Sequence, residues 1–260
     1  MKRARVAYAG AIHPATEQEG CVRLADGRLL AENDVVWLPP LQPGTIFALG
    51  LNYADHAKEL DFKAPAEPLV FLKGPQSLCG HLGHTFRPKN VTYMHYECEL
   101  AVVIGKSARR VTKTNAYDYV AGYTIANDYT IRDYLENYYR PNFRVKSRDR
   151  ATPIGPWLVD AADIADPMDL PLRTLVNGRV TQEGTTRDMI FDIPTIIAYL
   201  SEFMTLSPGD IILTGTPEGL TGVNVGDEVI TAIDGIGSLK NTIIGEGQEI
   251  GETEEQTHVG

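Results

Sequence analysis

Two carboxylates one residue apart, Glu97 and Glu99, open an apolar run that ends at Ile104. Read as a strand, residues 96–104 place both acids on one face, because strand side chains alternate with a period of two. Acids set side by side at the edge of a core repel each other and lose hydration. Either one of them takes up a proton or a cation sits between them. A third carboxylate would complete an oxygen-rich site suited to Mg²⁺, Mn²⁺ or Ca²⁺ rather than Zn²⁺. Without a third, a solvated strand face is the commoner home for such a pair. Asp128, at the end of a second apolar run over 119–128, is the natural third acid. It competes with another role there, since Asp128 or Thr130 could cap a following helix.

Three further groups have types suited to chemistry. His56 and Glu59 stand at i and i+3 in a short helix expected over 53–60, with Asn52 as its cap. They are either a solvated surface pair or a histidine oriented by a carboxylate to work as a base. The Pro-containing segment that follows makes 53–67 a flap expected to order when ligand binds. Lys73 ends a strand over 69–73, at a functional edge or simply in solvent. Lys146 lies in a loop between strands, where a lysine normally faces water. Beside a carboxylate–metal centre it would instead polarise a substrate oxygen or move a proton. Cys21, Cys79 and Cys98 have neither zinc nor disulfide spacing. Unpaired thiols fit a reducing cytoplasm, and Cys98 points away from its neighbouring glutamates, as a packed core thiol.

The elements that must hold these groups are mostly strands. The 260 residues fit one large domain with a small appendage. Residues 1–44 read as short strands, with a hairpin turn at Asp26-Gly27. A main domain follows over 45–244, then an acidic tail, 245–260, expected to be disordered. Asn177-Gly178 is a two-residue hairpin turn, and Asp192 with Pro194 opens an amphipathic helix, 195–203. The loop 214–219, Thr-Gly-Thr-Pro-Glu-Gly, exposes backbone to close approach by a ligand. There is no Gly-x-Gly-x-x-Gly between a strand and a helix, so a dinucleotide cofactor is not expected. The net charge of −10 argues against nucleic acid. No signal peptide and no membrane-length apolar run is found.

In chain order the pieces are Asn52-Tyr53-Ala54-Asp55-His56, Phe71-Leu72-Lys73, Glu97-x-Glu99, Asn127-Asp128 with Arg132-Asp133, Lys146-Ser147 and Leu213 to Gly219. Together, across roughly residues 45–243, they resemble the fumarylacetoacetate hydrolase family. The resemblance implies a mainly β (α+β) fold, a mixed β-sandwich roll with a few short helices. It places Mg²⁺, or another divalent ion, on Glu97, Glu99 and Asp128. It makes Lys146 the active-site lysine and His56 with Glu59 a catalytic dyad on a lid. Thr216 would bind a substrate carboxylate, with Lys73 and Arg132 as further binding groups. Within the family, the stretches 48–57, 93–97, 131–142 and 198–206 are most similar to a branch that isomerises and decarboxylates 2-oxo and 2-hydroxydienoate polycarboxylates in homoprotocatechuate catabolism. There, two family domains are fused. A lone domain implies a homodimer, a higher homo-oligomer or pairing with a homologous subunit. The alternatives are hydrolysis of an acylpyruvate or β-diketone, oxaloacetate decarboxylation, or a catalytically silent partner subunit.

Overall fold

The computed structural model describes residues 1–55, 65–135 and 142–248. Tight turns at Gly10, Gly20 and Gly27, all with positive φ, separate β1 (Lys2–Tyr8), β2 (Ala11–Gln18), β3 (Cys21–Leu24) and β4 (Leu29–Leu30). After them come β5 (Val36–Leu38), β6 (Ile46–Gly50), β7 (Leu69–Lys73), β8 (Leu78–Cys79), β9 (Gly83–Arg87) and β10 (Met94–His95). The centre of the chain holds β11 (Cys98–Ile104), β12 (Val120–Asn127), β13 (Thr130–Ile131) and β14 (Thr152–Asp160). The last strands are β15 (Pro171–Val176), β16 (Arg179–Thr185), β17 (Ile211–Leu213), β18 (Glu228–Ile233) and β19 (Gly237–Gly245).

The large sheet runs β4-β3-β2-β1-β14-β12-β11-β17-β6-β7, with β5 beside β1 and β8 beside β14. A second sheet runs β16-β15-β18-β19-β9, and β10 pairs with β13. Pairing is antiparallel except where β6 meets β17, β8 meets β14 and β9 meets β19. This is a mainly β roll of two open sheets with short helices. The N-terminal strands continue the large sheet through β1, which pairs with β14. No described helix is long and apolar enough to cross a membrane.

The main core lies between the sheets. Cys98, Leu100, Val102 and Ile104 of β11 meet Tyr123 and Ile125 of β12 and Leu172, Ile233 and Leu239 of the second sheet. The helix Ile193–Phe203 closes the same core with Ile193, Ile196, Ile197 and Leu200. Its start is fixed by Asp192, whose carboxylate accepts from the Thr195 amide at 2.8 Å, and by Pro194 in the first turn. The opposite face of β11 is also covered. Ala101 packs there with Ile46, Ala48, Ala126, Ile154 and Leu213. Burial on both faces explains why the strand reads as an unbroken apolar run. The hairpin expected at Asn177-Gly178 joins β15 to β16, both turn residues having positive φ (49° and 76°).

Asn52 departs from the expected helix cap. Its Nδ2 donates to the carbonyls of Phe191 (3.1 Å) and Thr214 (2.8 Å), and its Oδ1 accepts from the Phe191 amide (2.8 Å). A cap would use only the oxygen, whereas here the amide satisfies buried backbone on two separated segments at once. Ala54 and Asp55 begin the expected helix, and its remainder, 56–60 with His56 and Glu59, lies outside the described residues. Asn52→Ala should lower stability by about 2–4 kcal/mol, because buried backbone groups lose their partners. Urea unfolding followed by circular dichroism checks this; an unchanged midpoint would contradict the pinning role.

Candidate metal centre

Strand register builds the site. Cys98 pairs with Asn127 and Glu99 with Ala126 across the antiparallel β11–β12 ladder. Continuing that register sets Glu97, just before β11, opposite Asp128, just after β12. Residues directly opposite point to the same face, so Glu97 and Asp128 share one with Glu99, two positions along. Backbone bonds lock the crossing: the Asp128 amide donates to the Glu97 carbonyl, and the Glu97 amide to Asn127 Oδ1, each at 2.9 Å. Carboxylate oxygens of Glu97, Glu99 and Asp128 lie within 4.8 Å of one another, and all three residues are buried.

Three cationic side chains surround them. Lys146, at the end of the short helix Phe143–Lys146, reaches Glu97 Oε2 and lies 2.7 Å from Asp128 Oδ2. Lys73, ending β7, donates to Asp128 Oδ1 and to the Lys146 carbonyl. It is only 4% exposed, so the solvated reading of Lys73 is overturned. Arg132 Nη2 and Thr130 Oγ1 both donate to Glu97 Oε1, at 2.8 and 2.9 Å. Where the helix expected after Asp128 falls on described residues, β13 and a single 3₁₀ turn, Arg132–Tyr134, stand instead; residues 136–141 lie outside the described residues. Neither Asp128 nor Thr130 caps this turn; their side chains are committed to the acid cluster instead.

Glu99 is the least compensated acid. Its Oε2 accepts from the Gly215 amide at 2.7 Å. Its Oε1 is buried and has no hydrogen-bond partner among the described residues. Burial, followed by the nearby charge of Asp128, holds the Glu99 carboxyl well above the usual carboxylate range, against the pull of Lys146. Burial also lowers the Lys73 pKa, with Asp128 opposing it. At Lys146, burial disfavours the charge, but the charges of Asp128, Glu97 and Glu99 prevail and raise its pKa.

The orphaned Glu99 oxygen fits a divalent ion. A fully buried acceptor without a donor is costly, and a hard cation satisfies it. Among the described residues the ligands offered are carboxylate oxygens, with no His or Cys in the cluster, which suits Mg²⁺, Mn²⁺ or Ca²⁺.

Thr216 is buried in the loop following Gly215, and its hydroxyl accepts from Gln182 Nε2 at 2.9 Å. Sequence reasoning missed Thr130 as a support for Glu97, having read it as a cap. It also missed Gln182, which lies 34 positions from Thr216 in a different strand and carries no spacing signal.

Three buried acids held by a β11–β12 register and framed by two lysines form a candidate acid-ligated site for a divalent metal. The chain belongs to the fumarylacetoacetate hydrolase family: the family described as "Fumarylacetoacetate (FAA) hydrolase C-terminal" matches residues 45–244. It is 62% identical over 214 residues to the 4-hydroxyphenylacetate degradation bifunctional isomerase/decarboxylase of Salmonella dublin. That match covers 82% of this chain and 50% of the relative, so the chain spans about half the relative's length. The crystal structure of 5-carboxymethyl-2-hydroxymuconate delta-isomerase from Mycobacterium smegmatis superposes with a TM-score of 0.83 at 36% identity, covering 95% of this chain and 100% of that one. Maleylpyruvate hydrolase from Sphingobium sp. SYK-6, in complex with manganese(II) and pyruvate, gives a TM-score of 0.80 at 27% identity, over 94% of this chain and 99% of that one.

Glu99→Gln should abolish detectable Mn²⁺ binding in calorimetry while the protein stays folded. Metal binding needs the Glu99 carboxylate, and its raised pKa favours the proton. Affinity should therefore fall as pH falls through that raised pKa, with proton release on binding. Calorimetry in buffers of different ionisation enthalpy reads both; pH-independent affinity without proton release would contradict the assignment.

Proposed function

We propose that this chain is a divalent-metal-dependent isomerase and/or decarboxylase of 2-oxo polycarboxylates in homoprotocatechuate (4-hydroxyphenylacetate) catabolism. Its substrates would be 5-carboxymethyl-2-hydroxymuconate, 5-oxopent-3-ene-1,2,5-tricarboxylate and their relatives. One observation carries this reading. Three buried acids face three basic groups, Lys73, Lys146 and Arg132. Those charges offset one another, so a divalent ion brings the pocket to a net double positive charge. Such a pocket matches a small polyanion.

A divalent ion, Mg²⁺ in the first instance, on Glu97, Glu99 and Asp128 supplies Lewis acidity to a 2-oxo carboxylate. Everything else falls to the chain. Lys146 Nζ, within the acid cluster, donates toward charge that develops on the substrate 2-oxygen. Lys73 holds Asp128 and the Lys146 backbone in place, and Arg132 orients Glu97. Thr216 donates its hydroxyl to a substrate carboxylate. His56, tuned by Glu59, takes a proton from one carbon of the conjugated system and returns it at another. In decarboxylation the carboxylate leaves as CO₂, and the electron pair left on carbon is taken up by the conjugated carbonyl before reprotonation. The chain's partner would be a second copy of itself or a homologous subunit.

A hydrolytic reading draws on the likeness to maleylpyruvate hydrolase, since the same dyad could activate water. Oxaloacetate decarboxylation is a simpler use of the same groups. A silent partner subunit fits poorly, because it would have no use for three buried acids.

With Mg²⁺, the purified protein should turn over 5-oxopent-3-ene-1,2,5-tricarboxylate and leave acetylpyruvate intact in an absorbance assay, and a chelator should stop the reaction. Turnover of acetylpyruvate alone would establish the hydrolase instead. His56→Ala should keep Mn²⁺ affinity and lose about 10²–10⁴-fold in kcat; equal turnover by this variant would remove His56 from the mechanism.

A further inference from the structure

We infer that Gln182 is a positioning residue: its amide N–H occupies an acceptor position on the Thr216 hydroxyl, so that this hydroxyl presents its hydrogen to a substrate carboxylate. The inference rests on the placing of Thr216 against substrate proposed above.

Gln182 sits in the middle of β16 and is 2% exposed. Thr174 of β15 lies directly opposite, so the two side chains share a face. Thr174 Oγ1 donates to Gln182 Oε1 at 3.0 Å. On its other side, Gln182 Nε2 is 2.8 Å from the Pro217 carbonyl. A carbonyl only accepts, so the amide cannot be turned over and its nitrogen must face the loop. The second Nε2 hydrogen goes to Thr216 Oγ1, 2.9 Å away. Both amide hydrogens and the carbonyl oxygen are thereby committed.

The consequence falls on Thr216. Its oxygen already accepts, and its own hydrogen makes no bond among the described residues. A buried hydroxyl in that state acts as a donor, and a donor fits an anionic oxygen rather than an ammonium or amide N–H. The preceding residue, Gly215, gives its amide to Glu99 Oε2 at 2.7 Å. Adjacent residues of one loop therefore address a metal ligand and, through Thr216, the substrate.

The loop is also seated closely on β16. A Cβ on Gly184 would lie 2.7 Å from Pro217 Cγ, and one on Gly219 would lie 3.3 Å from Gln182 Cα. Gln182 thus meets a closely seated loop with both amide hydrogens: one holds the backbone at Pro217, and the other sets the direction of the Thr216 hydroxyl.

The test is pyruvate binding to the Mn²⁺-loaded protein by calorimetry, for wild type, Q182L, Q182E, T216S, T216V and Q182L/T216V. Mn²⁺ affinity and thermal melting are measured on each. Expected is about 10–100-fold weaker pyruvate binding in Q182L and T216V, with Mn²⁺ affinity unchanged. Q182E, which keeps the volume but accepts from Thr216 and turns its hydrogen away, should lose at least as much. T216S should bind like wild type. The double variant should bind no more weakly than T216V, because Gln182 reaches the substrate carboxylate through the Thr216 hydroxyl. Wild-type binding in Q182E, or an equal further loss when Q182L is added to T216V, overturns the inference. Should Q182L not fold, Q182E carries the comparison. If the Mn²⁺-loaded wild type binds no pyruvate, the functional reading itself fails, and this inference with it.

Discussion

The centre of this protein depends on holding three carboxyl groups together out of water. Two carboxylates facing each other across an antiparallel ladder are ordinarily destabilising. Here Glu97 and Asp128 are brought across the end of the β11–β12 ladder by its register, and Glu99 is added one pleat further on. The arrangement survives because Lys73, Lys146 and Arg132 are delivered from three other segments. A buried ion pair is rarely a net source of stability. The cluster is therefore best understood as a cost that the two-sided core around β11 offsets, retained for what the acids can bind.

The division of labour in the fold follows from this. Even-numbered β11 side chains carry the hydrophobic load against the second sheet and the helix Ile193–Phe203. The odd-numbered face carries Glu99 and, beyond it, Ala101 packed on a smaller core. The groups proposed to meet substrate sit off the ladder: Lys146 on a four-residue helix, and Thr216 in a loop seated on β16. A rigid strand pair fixes the acids, and the ends of other elements bring in the groups that answer them.

Much of the acid centre could be read from sequence because its information is local. Glu97 and Glu99 declare a shared face by alternation alone, and Asp128 ends an apolar run of the right length. The predominance of strands was legible for the same reason, through strand-length apolar runs and the Asn177-Gly178 turn, whereas the roll itself followed from the family resemblance. What stayed hidden depends on long-range choices among equivalent local uses. Asn52 reads as a cap until Phe191 and Thr214 are seen to claim both ends of its amide. Asp128 and Thr130 read as caps until register turns them inward. Lys73 looks like any charged strand end until Asp128 is found against it. Each is a polar side chain with two plausible local roles, and only tertiary packing selects one.

The burial of β11 on both faces has a consequence for how such a protein can diverge. A strand with no solvent-facing position offers no neutral site, so almost any substitution along it disturbs packing, and one beside Glu99 disturbs the proposed ion site as well. Novelty in substrate range must therefore arise in peripheral segments such as the Phe143–Lys146 helix and the 214–219 loop. A chemist seeking new reactivity should randomise those segments and leave the central ladder untouched.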